Sequence, residues 1–147
     1  MTNTSRCKWS EKDPFYIKYH DTEWGVPLHN EQQLFEFLIL ETFQAGLSWI
    51  TILRKRDNFR KAFDNFDFKK IAQYNERKIQ NLLQDTGIIR NKLKVRATVS
   101  NAQAFLQVQK EFGLFDNYVW AFVNGKPIQN RWESVKELPG KTELSDQ

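Results

Sequence analysis

Residues 31–44 restrict the fold more than any other segment, because their apolar side chains are too many to share one helix face. Asn30 is a helix-capping residue type, so a helix is predicted to begin at Glu31 and to end near Gln44. The segment has seven apolar residues, namely Leu34, Phe35, Phe37, Leu38, Ile39, Leu40 and Phe43. They cover most of the helix circumference, which is typical of a central helix surrounded by others.

The rest of the sequence also favours helices over strands. No alternating apolar pattern competes with the helical one, and 6 Gly and 4 Pro are few for a turn-rich β-fold. Asp13-Pro14 is a helix start and Gly46 suits a helix end. The stretch 91–112 is again helical, with Leu93, Ala97 and Ala104 on one side. Helices are predicted over 14–24, 31–44, 48–56 (or to 63), 68–74, 76–85, 91–112 and 115–123. The predicted fold class is all-α, as one domain spanning residues 1–147.

The composition excludes several classes of protein. A chain of 147 residues buries roughly two thirds of its unfolded surface, so it needs neither disulfide nor metal to fold. One cysteine forms no internal disulfide, which fits a reducing compartment. The sequence shows no apolar signal core and no run of 18 apolar residues, so we expect a cytoplasmic protein without a membrane partner.

Basic residues are concentrated in two places. The window from Thr86 to Lys110 has five basic residues and no acid, although the whole chain is only +4. A second cluster is interrupted only by Asp57 and comprises Arg54, Lys55, Arg56, Arg60 and Lys61. Each cluster is either a solvated helix face or part of a surface for a polyanion.

A tight turn at Gly87 joins two of the predicted helices. We expect glycine there because such a turn needs a residue that is free to take a positive φ. The turn and the next helix would leave backbone N–H groups unpaired, and these form an anion site with the helix dipole. Arg90, Lys92 and Lys94 beside them favour a DNA phosphate, whereas an ordinary αα-hairpin with exposed lysines is the alternative.

Glu41 is the only charged residue between Phe37 and Leu53, and it lies in the helix that we expect to be buried. A buried carboxylate costs several kcal/mol unless a cation or hydrogen-bond donors receive it. Either a distant arginine or backbone amides satisfy Glu41, or it is held to receive a cationic ligand. Four aromatic residues of the neighbouring segments could stack such a flat cation or fill the core: Tyr16, Tyr19, Trp24 and Trp49.

Cys7 and His20 are candidate metal ligands, but the residues alone do not complete a zinc site. A closed site needs four ligands. No cysteine follows Cys7 and no histidine follows His29. A buried thiol and a hydrogen-bonded histidine are therefore the simpler interpretation.

These residues occur in blocks that resemble a known family. The blocks are Arg6-Cys7 with Trp9, Asp13-Pro14 with Tyr16, Tyr19-His20-Asp21, Glu23-Trp24-Gly25-Val26-Pro27, Glu41, Gln44-Ala45-Gly46-Leu47-Ser48-Trp49, Gln84-Asp85, Gly87-Ile88-Ile89-Arg90 and Lys94. They resemble the DNA-3-methyladenine glycosylase I family over about residues 6–139. Two blocks are long, ungapped and specific: the one from Tyr19-His20-Asp21 to Glu23-Trp24-Gly25 and the one from Gln44 to Trp49.

The resemblance implies a helix-hairpin-helix fold, with the hairpin at about residues 76–106, and base-excision repair of alkylated DNA. The substrate would be 3-methyladenine, which is positively charged in DNA. Glu41 would be the catalytic residue that contacts the flipped base. The residues implied around the base are Tyr16, Tyr19, Trp49, Trp9 and Trp24.

The resemblance also implies how DNA is bound and what is released. Leu47 would lie near the gap that base flipping leaves, and the hairpin residues Gly87, Ile88, Arg90, Lys92 and Lys94 would bind the DNA backbone. The product would be free 3-methyladenine, without strand cleavage, because no lysine is indicated as a nucleophile. Asp116 is interpreted as a turn or cap residue. We expect a monomer.

One feature of the family has no counterpart here. The family continues into a C-terminal segment that gives a histidine and a cysteine to a structural zinc, whose other ligands would be Cys7 and His20. We therefore expect that segment to be missing from this chain and the zinc site to be only half present.

Three hypotheses for function remain at this point. The first is a monofunctional DNA glycosylase, and the second is a non-catalytic helix-hairpin-helix module that binds DNA or senses lesions. The third is a helical protein-interaction domain. Only the first predicts release of free base from alkylated DNA, and only the first two predict salt-dependent DNA binding.

Overall fold

The computed structural model describes residues 6–147. Within that range the chain has seven α-helices and no strand, so the predicted all-α class is confirmed. The helices are α1 (Pro14–Thr22), α2 (Glu31–Gln44), α3 (Trp49–Ala62), α4 (Phe68–Ile71), α5 (Glu76–Leu82), α6 (Lys92–Phe112) and α7 (Phe115–Ala121). Short 3-10 turns occur at Lys8–Ser10, Asp64–Phe66 and Val135–Glu137. None of the helices in the described range is long and apolar enough to span a bilayer.

Local capping explains where most helices begin and end. Asp13 accepts a hydrogen bond from the Phe15 amide with Pro14 at the first helical position, and Asn30 accepts one from the Gln33 amide. Gly46 takes a φ of +78° just after α2, as its predicted capping role requires. The first helix stops at Thr22, two residues before the predicted end, because the amides of both Glu23 and Trp24 bind the Tyr19 carbonyl.

Helix α2 lies at the centre, as its apolar circumference predicts. It packs against α3, α6 and α7. The largest fully buried side chains of the core are aromatic, namely Phe35, Phe43, Phe59, Phe63, Phe66 and Phe105. One side of α2 nevertheless remains open, since Leu38 and Glu41 are exposed.

The side of α6 that carries Leu93, Ala97 and Ala104 is not its buried face. Leu93 is 79% exposed and Ala104 is also exposed. The residues that face the core are Val95, Thr98, Val99, Ala102 and Phe105. Packing against α2 and α4 sets this rotation, and the spacing of Leu93, Ala97 and Ala104 alone did not reveal it.

Helix α7 docks onto the start of α2 through one carboxylate. Glu31 accepts hydrogen bonds from the amides of Phe115 (3.0 Å) and Asp116 (2.8 Å), which are orphan donors of the first turn of α7. The Asp116 carboxylate in turn pairs with His29 at 2.8 Å. Asp116 therefore lies within the first turn of α7 as a hydrogen-bond partner of His29, and Leu114 occupies the N-cap position instead.

The acid that α2 buries is Glu36. It is 6% exposed, and its Oε1 accepts from Arg56 Nε at 2.6 Å and from Arg60 Nη2 at 2.8 Å. The other side of Arg56 binds both carboxylate oxygens of Glu23, at 2.9 and 2.7 Å. Much of the second basic cluster is thus neutralised within the fold, and Arg54 also pairs with Asp13.

We predict that Glu36→Gln destabilises the fold by about 2–4 kcal/mol, because it leaves two arginines around a neutral amide. Asp57→Asn is the matched control, since Asp57 pairs with the same Arg60 but is 86% exposed, and it should change stability by less than about 0.5 kcal/mol. Urea unfolding of the three proteins measures the difference. Equal loss in both variants would contradict a special role for the buried carboxylate.

Candidate functional site

A cavity of about 350 Å³ opens between the 3-10 turn Lys8–Ser10, α1, the end of α2 and the start of α3. Seven side chains line it: Trp9, Tyr16, Tyr19, Trp24, Glu41, Gln44 and Trp49. All six residues that were predicted to form a base pocket are among them. Gln44 is the additional lining residue, and its position in the Gln-Ala-Gly-Leu-Ser-Trp block was the available signal.

The aromatic walls pack edge to face. Trp9 meets Tyr16 with ring centroids 5.2 Å apart and Trp24 at 5.5 Å, and Tyr19 meets Trp49 at 5.6 Å. Trp9 is 41% exposed and Trp24 is 49% exposed. Large rings that are held rigidly yet left partly open provide surface for a flat ligand.

Tyr16 also has a structural role. Its hydroxyl accepts a hydrogen bond from the Ile50 amide at 3.1 Å, in the first turn of α3. This bond satisfies an orphan donor and ties α1 to α3. Tyr16 and Tyr19 line the same cavity, as their spacing along the helix predicted.

Glu41 is not buried in the core, contrary to the sequence-based expectation; it is exposed at the cavity. Among residues 6–147 it has neither a hydrogen-bond partner nor an ion pair, so the distant arginine of the alternative interpretation is absent from this range. Partial burial nevertheless raises the pKa of its carboxyl above the ordinary 4.5. Burial, and then the nearby negative charge of Glu41, raise the pKa of Tyr19.

The indole nitrogen of Trp49 is a second unmatched polar group in the cavity wall. Its Nε1 is buried and makes no hydrogen bond of good geometry in the described part of the chain, although the Trp49 side chain lies close enough to Tyr19 to act on the pKa of its hydroxyl. Buried donors without a partner are rare in folded proteins. An unmatched donor and an unpaired carboxylate in one aromatic cavity together suit a heterocycle with both an acceptor and a donor edge.

Two hydrogen bonds between Gln44 and Leu47 close the turn after α2. The Gln44 side chain donates to the Leu47 carbonyl at 2.7 Å, and the Leu47 amide donates back to the Gln44 carbonyl at 2.7 Å. Leu47 is 36% exposed at this turn. Since Gln44 and Trp49 both line the cavity, the turn forms part of its rim.

The hairpin consists of α5 and α6, but Gly87 is needed for a different reason than predicted. Its φ is not positive. A Cβ there would lie 3.0 Å from Asp85 Oδ1 and 3.2 Å from Asn58 Cβ, so the close approach of α3 leaves little room for a side chain. Ile88 is only 3% exposed and anchors the hairpin in the core, so its side chain is not available to DNA.

The backbone amides expected to be free at the hairpin are largely used within the fold. The Gly87 amide donates to Asp85 Oδ1 at 2.8 Å. The amides of Leu93 and Lys94 both donate to the capping side chain of Asn91, at 3.0 and 3.1 Å. An anion at this hairpin would therefore rely more on side-chain charge than the sequence suggested.

The basic residues after the turn divide into two groups. Arg90 and Lys92 are exposed, and neither has an ion-pair partner among the residues that the structure describes. Lys94 instead donates to the carbonyls of Phe43 (2.9 Å) and Ala45 (2.5 Å), and Arg96 pairs with Glu76 at 2.7 Å. Next to the turn, Arg90 and Lys92 are therefore the exposed basic residues that pair with no acid in the described range.

Cys7 and His20 lie together behind the aromatic wall. The Cys7 amide donates to His20 Nε2 at 3.4 Å, while His20 Nδ1 lies 3.1 Å from Asp21 Oδ1. Arg6 binds Asp21, and together with His20 it lowers the Asp21 pKa to about 2. The His20 ring stacks on Trp24 with centroids 5.2 Å apart, so this network supports the cavity.

Cys7 and His20 were predicted to be two ligands of a structural zinc. An oriented histidine with its Nδ1 on a carboxylate is a usual arrangement for a zinc ligand. However, no group of three or more His, Cys, Asp or Glu in residues 6–147 is arranged to hold an ion. This part of the chain therefore does not make a closed zinc site by itself.

Comparisons with known proteins agree with this geometry. The sequence profile of the methyladenine glycosylase family matches residues 9–147. The chain is 46% identical over 141 residues to DNA-3-methyladenine glycosylase 1 of Escherichia coli (strain K12), which covers 96% of this chain and 75% of the relative. A crystal structure of 3-methyladenine DNA glycosylase I is similar with a TM-score of 0.91 and 47% identity, over 97% of this chain and 78% of that one. A variant of 3-methyladenine DNA glycosylase I in complex with 3-methyladenine is similar with a TM-score of 0.91 and 35% identity, over 96% and 76% of the two chains.

Proposed function

The chain belongs to the methyladenine glycosylase family, and on that premise we propose that its aromatic cavity receives a methylated adenine flipped out of duplex DNA. As a member of that family it is a base-excision-repair glycosylase, a hydrolase that cleaves the N-glycosidic bond of 3-methyladenine in alkylated DNA. The all-helical fold and the hairpin agree with that activity.

The carboxylate of Glu41, unpaired within residues 6–147, is the observation that carries the assignment of the site. A methylated adenine with positive charge would supply the cation that this part of the fold does not give to Glu41. The rings of Trp9, Trp24 and Trp49 would stack the base, and the free indole N–H of Trp49 would meet a ring nitrogen. Each unmatched group in the cavity would then find a partner on one ligand.

The charge of the base also explains why the cavity needs few catalytic groups. A cationic base is already a good leaving group, so no acid has to protonate it before the bond to the sugar breaks. Glu41 is placed to stabilise the positive charge of the bound base and the charge that develops on the sugar. Water completes the hydrolysis. The seven described residues that line the cavity include no lysine, which supports a monofunctional enzyme without strand cleavage.

DNA binding is assigned to two neighbouring features. Flipping a base costs a few kcal/mol, and stacking in the cavity together with the Glu41 contact offsets it. The exposed Leu47 side chain on the cavity rim is suited to fill the gap left in the duplex. In this proposal the exposed Arg90 and Lys92 neutralise phosphates of the DNA backbone.

The remaining properties follow from these assignments. We propose a monomer whose partner is duplex DNA with alkylated bases and whose product is free 3-methyladenine. A cytoplasmic location is proposed from the single cysteine and the DNA substrate. Family membership favours the enzyme over a non-catalytic DNA-binding module or a protein-interaction domain, and release of free base separates them directly.

We predict that Glu41→Gln keeps the fold but weakens binding of free 3-methyladenine and slows its excision. The expected loss is about 1.5–3 kcal/mol, or roughly tenfold to 150-fold, for a charge-assisted hydrogen bond. Stability should stay level or rise, because the change removes a partly desolvated charge. Thermal melting, titration with the free base and a base-release assay on methylated DNA give the three readouts. Wild-type binding and excision by a stable variant would contradict the assignment of Glu41.

The pH dependence gives an independent check of Glu41. Because its pKa is raised, the carboxylate that binds a cation is lost as the pH falls through a value above 4.5. Base release under kcat/KM conditions, which reports the free protein, should therefore decline on the acid side at a higher pH than an ordinary glutamate would give. The Glu41→Gln variant should be slower and should lack this decline.

We predict that Arg90→Ala combined with Lys92→Ala weakens binding to all duplexes alike. The slope of log affinity against log salt should become shallower by about one unit for each phosphate that is no longer neutralised. Arg96→Ala is the matched control, because Arg96 is engaged by Glu76 and should leave the slope unchanged. An unchanged slope in the double variant would remove the hairpin from the DNA interface.

We predict that zinc bound to this 147-residue chain exchanges and is lost on dialysis, since Cys7 and His20 provide two ligands. Metal analysis after dialysis, with a Cys7→Ser variant as control, measures it. Stoichiometric zinc that survives dialysis and depends on Cys7 would show that further ligands complete the site.

A further inference from the structure

The ammonium group of Lys94 joins the hairpin to the end of α2. Lys94 lies in the first turn of α6, and its Nζ donates to the carbonyl oxygens of Phe43 at 2.9 Å and Ala45 at 2.5 Å. These carbonyls belong to the last turn of α2 and the residue that follows it. Two of the three donors of the ammonium are therefore engaged by the protein itself.

Helix electrostatics account for this arrangement. A cation in the first turn of α6 is unfavourable for that helix, because its amides already carry partial positive charge. The same cation is favourable at the end of α2, where carbonyls lack intrahelical partners. Lys94 extends from the first environment into the second and is half-buried there, whereas its neighbour Lys92 stays exposed.

The segment that Lys94 holds is the rim of the cavity. The Ala45 carbonyl directly precedes Gly46, whose φ of +78° turns the chain, and Leu47 follows. Glu41 and Gln44 lie in the same last turn of α2. One side chain of the hairpin thus fixes both the turn that bears Leu47 and the end of the helix that bears Glu41.

We infer that Lys94 is a positioning residue, which holds the Leu47 turn and the cavity in a set relation to the hairpin, rather than a phosphate ligand. The inference rests on the proposed function, because the relation matters when Arg90 and Lys92 grip the DNA backbone. Phosphate binding by the hairpin then determines where the base is captured, because the two hydrogen bonds of Lys94 connect the hairpin to the cavity rim.

Four measurements on Lys94→Met test this role. Hydrogen exchange of the amides of residues 44–48 in the unliganded protein should become at least tenfold faster. Single-turnover base release should slow by about tenfold to a hundredfold, since small misplacements at a reacting centre have effects of that order. The salt slope of binding to undamaged duplex should stay at the wild-type value, and so should the pH of the acid decline in base release.

Two further variants make the outcome decisive. Lys94→Arg keeps donors and charge, so it should recover part of the rate, whereas the double variant of Arg90 and Lys92 should change the salt slope with normal exchange at residues 44–48. If Lys94→Met does not fold, Lys94→Gln is judged by the same measurements.

A salt slope that becomes shallower by about one unit in Lys94→Met would show that Lys94 binds phosphate and overturn the inference. Unchanged exchange at residues 44–48 would overturn it as well. If wild-type protein released no base, the proposed function would fail, but the exchange measurement would still decide whether Lys94 holds the turn.

Discussion

The guanidinium of Arg56 is the interaction on which the site depends most. It binds Glu36 of α2 on one edge and Glu23 after α1 on the other, and it stacks over the Phe37 ring at 4.9 Å. Three helices that supply cavity walls are therefore joined at one planar group. Phe37 in turn stacks against Trp49, with ring centroids 6.5 Å apart. The ion-pair network of Arg56 therefore contacts the aromatic wall of the cavity through Phe37.

Two glutamates of α2 show how the fold distributes charge. Glu36 lies on the inner side and receives Arg56 and Arg60, which suits a carboxylate that water no longer reaches. Glu41 lies more than one turn further along and faces the cavity without a cation from residues 6–147. The fold thus pairs Glu36, the acid that holds helices together, with two arginines. Within residues 6–147 it leaves Glu41, the acid proposed to meet the ligand, without a cation.

Local chemistry made much of the fold predictable, whereas long-range pairing did not. Capping by Asp13 and Asn30 set helix starts correctly, since both act within three residues of their own position. The partners of Glu36 lie 20 and 24 residues away, so the sequence directed attention to Glu41 as the buried acid. Lys94 was assigned to DNA by its place in a basic run, although carbonyls 49 and 51 residues away determine what it binds.

The turn at Asp64–Phe66 shows a further limit of sequence patterns. Its three residues all take positive φ, between 49° and 57°, without a glycine. Burial of Phe66 and hydrogen bonds from Gln32 to the Asn65 carbonyl and from Tyr74 to Asp64 hold it. Such a conformation is unfavourable locally, and only contacts from distant elements select it.

Glu31 holds one end of α2 to α7, and Lys94 holds the other end to the hairpin. Both ends of α2 are therefore fixed by contacts with other helices, and the cavity opens along its last turn. The opposite wall, which α1 supplies, has less buried surface behind it, because none of the α1 residues Pro14–Thr22 is fully buried. This helix is held by the hydroxyl of Tyr16 and by ion pairs at Asp13 and Glu23. Of the two walls, we therefore expect the one that α1 supplies to be displaced more easily than the one that α2 supplies.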